Sequence, residues 1–137
     1  MTTVIAVDLG ATNLRAALVG PDATVLAHDA VPTPTAGSGG EVVTAAIMAE
    51  VEALLALPEG RDVTAIGVAS AGPLDLGRGW VVHSPNMAFP VVEITGPLRE
   101  RFGLPVVLIN DARAGVLGER WAGAARGSDN VVYITLS

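Results

Sequence analysis

Residues 4–31 read VIAVDLGATNLRAALVGPDATVLAHDAV, and their punctuation decides the fold. Residues 4–9 (VIAVDL) are an apolar run of strand length halted by Gly10, and residues 14–19 (LRAALV) are a second. Gly20-Pro21-Asp22 makes a turn before a third run at 24–31 (TVLAHDAV). Three strands joined by short turns predict an antiparallel meander, because a parallel pair needs a long crossover between its strands. Beyond it, residues 32–40 (PTPTAGSGG) have the composition of a loop. A helix is predicted from Glu41 to just before Pro58. Val43, Ile47, Val51, Leu54 and Leu55 fall on one face of it, with Glu50 and Glu52 away from the centre.

Working outward, strands are predicted at 63–70 (VTAIGVAS) and 105–109 (PVVLI), with Ala71-Gly72-Pro73 a sharp break after the first. Residues 74–90 read as irregular apart from a short extended piece at 80–83. A brief helix is expected at 97–102, closed by Gly103, and another at 112–121 whose Val116, Leu117 and Trp121 are expected in the core. Residues 130–136 read as one more strand. A meander followed by alternating helices and strands predicts an α/β fold with a mixed sheet flanked by helices. That order fits an RNase H-like domain, the unit that actin- and hexokinase-type ATPases use twice. On this reading residues 1–123 are an N-terminal RNase H-like subdomain. Residues 124–137 are a linker and the first strand of a second subdomain, inside which the chain breaks off.

Half of the 137 residues are apolar, enough for a genuine core. The apolar runs are too short for a membrane-spanning helix. No basic region precedes the first of them, so no signal peptide is expected and the expected location is cytoplasmic. The absence of cysteine removes disulfides and thiolate metal sites together. The net charge is −6, and all eight basic residues are arginine. An acidic chain is a poor partner for nucleic acid. Without lysine there is no P-loop lysine, so a nucleotide must be held another way. An unpaired edge at 130–136 makes a homodimer a reasonable expectation.

Three stretches carry chemistry, each with a plainer alternative. The first is Asp8-Leu9-Gly10-Ala11-Thr12-Asn13. Gly10 and Ala11 are small enough to let backbone N–H groups approach a phosphate, and Thr12 and Asn13 add side-chain donors. Asp8 could hold a hydrated Mg²⁺, which takes one or two carboxylates plus water and phosphate oxygens, and Arg15 adds positive charge nearby. The alternative is a tight hairpin. The second is Asn110-Asp111 at a strand-to-helix junction, either a helix N-cap or the seat of a general base that takes the proton of an attacking hydroxyl. The third is Ser84-Pro85-Asn86, a turn or a sugar contact, since an amide offers donor and acceptor together. Trp80 and His83 are expected beneath that loop. A metal site at His83 is disfavoured, because His28 is the only other histidine.

Taken together, the Asp8 to Asn13 motif, Ala69-Ser70-Ala71-Gly72-Pro73-Leu74-Asp75, Ser84-Pro85-Asn86, Asn110-Asp111-Ala112 and Gly118-Glu119 closely resemble the ROK family (repressors, uncharacterised frames and sugar kinases), its glucokinases especially. The resemblance runs over the whole chain. It implies ATP- and Mg²⁺-dependent phosphorylation of a hexose, glucose above all, at its 6-hydroxyl. Asp111 would be the base, with Asn86, Asn110, Asp111 and the backbone of Gly72 at the sugar. Gly10, Ala11, Thr12 and Asn13 would hold the phosphate, and Asp8 the metal. Two positions depart from the family: Ala11 stands where a second glycine is usual, and Arg113 where asparagine often stands. The family's second phosphate loop, its adenosine site, its Glu/His sugar contacts and its zinc cluster lie further on, so this chain alone is expected to be inactive. The rival expectations are a sugar-sensing regulator of the same family and a non-catalytic sugar-binding fragment. All site assignments require that Asp111 and the bend after Asp8 face a shared crevice.

Overall fold

The computed structural model describes residues 2–136. The first strands, β1 (Thr3–Leu9), β2 (Asn13–Val19) and β3 (Val25–Pro32), form the expected antiparallel meander. Next come α1 (Glu41–Leu55), a 3₁₀ turn (Pro58–Asp62) and β4 (Val63–Ser70), which pairs parallel to β1. Later in the chain, β8 (Val106–Asn110) pairs parallel to β4, completing a mixed five-stranded sheet of order β3-β2-β1-β4-β8. The α/β fold with three antiparallel strands and then alternating helices and strands is therefore the RNase H-like one.

The alternation along β1 and β2 sorts side chains between two faces. Ile5, Val7 and Leu9 of β1 and Leu14, Ala16 and Leu18 of β2 are buried, whereas Ala6, Asp8 and Arg15 are exposed. The covering layer is α1, whose Val43, Ile47, Val51 and Leu54 are buried against that first set, with Leu55 half-buried beside them. Burying each such aliphatic side chain contributes about 1.5–3 kcal/mol, so the sheet–helix seam is the main store of stability. Glu50 sits closer to this seam than expected. One of its carboxylate oxygens is buried without a hydrogen-bond partner, and burial together with the neighbouring Asp29 raises its pKa.

Between β4 and β8 lies a second sheet, of which only the extended piece at 80–83 is expected from the sequence. It contains β5 (Leu74–Asp75), β6 (Trp80–Val82) and β7 (Val91–Glu93), all antiparallel. The helix α2 (Thr95–Phe102) follows it and begins two residues earlier than expected. Pro97 is tolerated because it falls in the first turn, where its missing N–H costs nothing.

The last helix, α3 (Asp111–Ala122), corrects one expectation and its sequel corrects another. None of its residues is buried: Leu117 and Trp121 are each 53% exposed and Val116 is half-buried. Helical spacing gives this face its apolar character, but among the described residues it is covered only in part, at Val116. Residues 130–136 do not form the expected strand. No ladder partner meets them among the described residues, and Val132, Ile134 and Leu136 stand exposed. The ring of Tyr133 lies over Gly115 of α3 so closely that a Cβ there would approach it within 2.7 Å. No helix among the described residues is long and apolar enough to cross a membrane.

Candidate active site

Parallel pairing brings three strand ends to one edge of the sheet. Leu9 of β1 is in register with Ser70 of β4, and Ser70 with Asn110 of β8. The turn at 10–13, the break at 71–73 and the Asn110-Asp111 junction therefore leave the same edge. The first and last are separated by one intervening strand, about 10 Å at the usual strand spacing. Asp111 and the bend after Asp8 thus leave the same edge of the sheet, not opposite ones.

The turn is tight for a local reason. Gly10 N–H donates to Asn13 O at 3.0 Å, and a Cβ on Gly10 would lie 2.8 Å from that same oxygen. Any larger residue would push the turn open. Ala11 is half-buried, while Thr12 and Asn13 are exposed. The sequence reading missed the brace beneath them. Thr33, only 5% exposed, donates its hydroxyl to Gly10 O at 2.8 Å, and its N–H donates to Thr12 O at 2.9 Å. A threonine in a Pro/Thr/Gly loop gives no such signal in sequence, because its partners lie more than twenty residues away.

Asp8 lies on the sheet face that α1 leaves open, directly across from Arg15. Arg15 Nη1 donates to Asp8 Oδ2 at 3.2 Å. Among the described residues there is no group of three or more His, Cys, Asp or Glu side chains that could hold a metal ion. A single exposed carboxylate beside a tight glycine turn fits an ion such as Mg²⁺, which keeps most of its water and shares its remaining positions with phosphate oxygens. It does not fit a metal caged by the protein.

At the other end of the edge stands Asn110, the last residue of β8. It is the N-cap of α3: its Oδ1 accepts from Ala112 N–H at 3.1 Å and from Arg113 N–H at 3.3 Å. Capping uses the oxygen and leaves the amide nitrogen, which faces Gly72. A Cβ on Gly72 would sit 3.9 Å from Asn110 Nδ2, in ordinary contact. Glycine here keeps the space over that amide open. Asp111 occupies the first turn of α3, is exposed, and accepts from Ala112 N–H at 2.8 Å through Oδ1.

Asn86 is exposed in a turn where Met87 N–H donates to Ser84 O at 3.1 Å. The start of its loop is tied to the same edge, since Val82 N–H donates to Pro73 O at 3.0 Å. His83 is exposed rather than packed beneath the loop. Trp80 is half-buried, with the Arg78 guanidinium 5.0 Å from its ring centre.

Comparison with known proteins identifies the family of the chain. The ROK family model matches residues 4–137. A glucokinase of Thermotoga maritima is 39% identical over 135 residues, covering 96% of this chain and 41% of the relative. A glucokinase of Streptomyces coelicolor is 35% identical over 136 residues, covering 99% of this chain and 41% of the relative. The chain therefore spans about two fifths of the length of the curated relatives it matches. Among solved structures, a ROK family glucokinase from Streptomyces griseus, in complex with glucose and AMPPNP, superposes with a TM-score of 0.80 at 35% identity. That match covers 93% of this chain and 39% of the other. With the fold, the edge and the family match in agreement, this chain belongs to the ROK family.

Proposed function

We propose that residues 1–137 supply one wall of a hexose kinase that transfers the γ-phosphoryl group of ATP to the 6-hydroxyl of glucose. The observation that carries this reading is the register linking Leu9, Ser70 and Asn110, which brings the tight turn after Asp8 and the exposed Asp111 carboxylate to one edge. Asp111 takes the proton of the attacking hydroxyl. The Asn110 amide nitrogen, Asn86 and the Gly72 backbone orient the sugar, while Gly10, Ala11, Thr12 and Asn13 receive the transferred phosphate. Asp8 would hold a hydrated Mg²⁺, which would neutralise charge on the donor phosphates. Phosphoryl transfer is mostly positioning and electrostatics, so a second wall is needed to close the site. We assign that wall to chain beyond residue 123, of which 124–137 are the lead-in.

The test is Asp111→Asn in a chain of the relatives' length. Loss of a general base predicts a fall in turnover of about 10²–10⁴-fold, with glucose binding by calorimetry retained. Turnover that survives the substitution overturns the assignment of Asp111.

A sugar-sensing regulator is the second reading, favoured by the 32% identity over 79 residues to a putative xylose repressor of Caldicellulosiruptor. It predicts glucose binding without phosphorylation in that same assay.

A further inference from the structure

Asp8 and Arg15 are a register pair, so the backbone fixes both side chains on one face of adjacent strands. Their single contact is 3.2 Å long, and the side chains are 53% and 60% exposed respectively. Surface ion pairs of this kind are weak and open readily. The surrounding depression is lined by Ala6, Ala17, Ala30 and Ala69, with His28 and Asp29 along it; the small alanine side chains leave the guanidinium room to swing without leaving the site. Arginine carries five N–H donors, of which this pair engages one.

We propose that Arg15 is a resident counter-ion for Asp8 that a divalent cation displaces. In the metal-free chain the guanidinium holds Asp8 Oδ2. The cation that accompanies the phosphoryl donor takes that oxygen, and the released guanidinium turns to the donor's phosphate oxygens, which guanidinium groups bind in a bidentate manner. The proposal rests on the reading of Asp8 as the metal-facing residue. It explains why a positive side chain is built against a carboxylate that must meet another cation. The ion alone has to evict Arg15, whereas the ion with its phosphates gives Arg15 somewhere to go, so the site discriminates against a bare cation.

The experiment is a titration of the 137-residue chain with Mn²⁺ alone, read as paramagnetic broadening of the Asp8 and Gly10 amide signals. Arg15→Gln is expected to lower the Mn²⁺ concentration for half-broadening several-fold, and Arg15→Lys to fall between it and the parent chain. Arg101→Gln, which removes a charge paired with Glu52 on another element, is expected to leave that concentration unchanged. An unchanged or higher requirement in Arg15→Gln, or an equal gain in Arg101→Gln, overturns the counter-ion role. Broadening that persists in Asp8→Asn, or its absence from both parent and Arg15→Gln chains, overturns the metal-facing reading of Asp8 instead. The dispersion of each variant's amide spectrum verifies that it is folded.

Discussion

Residues 2–108 and residues 109–136 are built on opposite terms. Every buried hydrophobic side chain belongs to the first stretch, from Ile5 to Leu108. In the second no described residue is buried, although Leu117, Trp121, Val132, Ile134 and Leu136 are all large and apolar. The sequences of the two stretches differ little in hydrophobic content. The difference lies in partners: α1 meets a sheet face, whereas α3 and the segment after it meet mostly solvent. Apolar patterning states which face of an element is ready to be covered, and something else must do the covering. The candidate site sits at the seam, with its phosphate turn braced inside the packed stretch and Asp111 opening the exposed one.

The contrast can be broken or sharpened by substitution. The largest effect is expected for Ile47→Ala, at the fully buried centre of α1. Removing such a side chain costs about 2–5 kcal/mol, read as a lower urea midpoint with an unchanged slope. A loss below 1 kcal/mol would mean that the α1 seam does not carry the fold. A smaller effect of opposite sign is expected for Glu50→Gln. Burial raises the pKa of Glu50 in the folded chain, helped by Asp29, so the folded state holds the proton more tightly than the unfolded one. The stabilising contribution of that proton is present at low pH and is lost as pH rises through the folded-state pKa. Glu50→Gln should therefore raise Tm at pH 7 and lose its advantage below about pH 4, near the ordinary glutamate pKa. A gain that is the same at both pH values would remove the buried carboxylate as its cause. The smallest effect is expected for Leu117→Ser on α3, within about 0.5 kcal/mol, as for surface positions generally. A loss of 2 kcal/mol or more there would show that α3 is covered in solution.

Legibility followed the same divide. The meander was readable because its turns are local, and the buried face of α1 because spacing alone defines it. Asp8, Gly10 and Asn110 could be picked out because each stands at the end of a strand-like run, where chemistry and chain reversal use the same residues. The brace from Thr33 was not readable, since its bonds to Gly10 and Thr12 depend on how β3 returns beside β2. Of the β5-β6-β7 sheet only β6 is legible, as the extended piece at 80–83, because strands of two or three residues are too short to show alternation. Trp121 was misplaced for a different reason: an amphipathic helix looks the same in sequence whether or not its apolar side has been met.

The notch at Gly115 has a practical consequence. The ring it receives belongs to the only tyrosine in the chain, and one of the two indoles, Trp121, lies on the same helix. The molecule thus carries a natural donor–acceptor pair across its least anchored part. In a Trp80→Phe chain, indole emission excited where the phenol absorbs, divided by that excited beyond the phenol band, would report without any label whether the tail is seated or has lifted away.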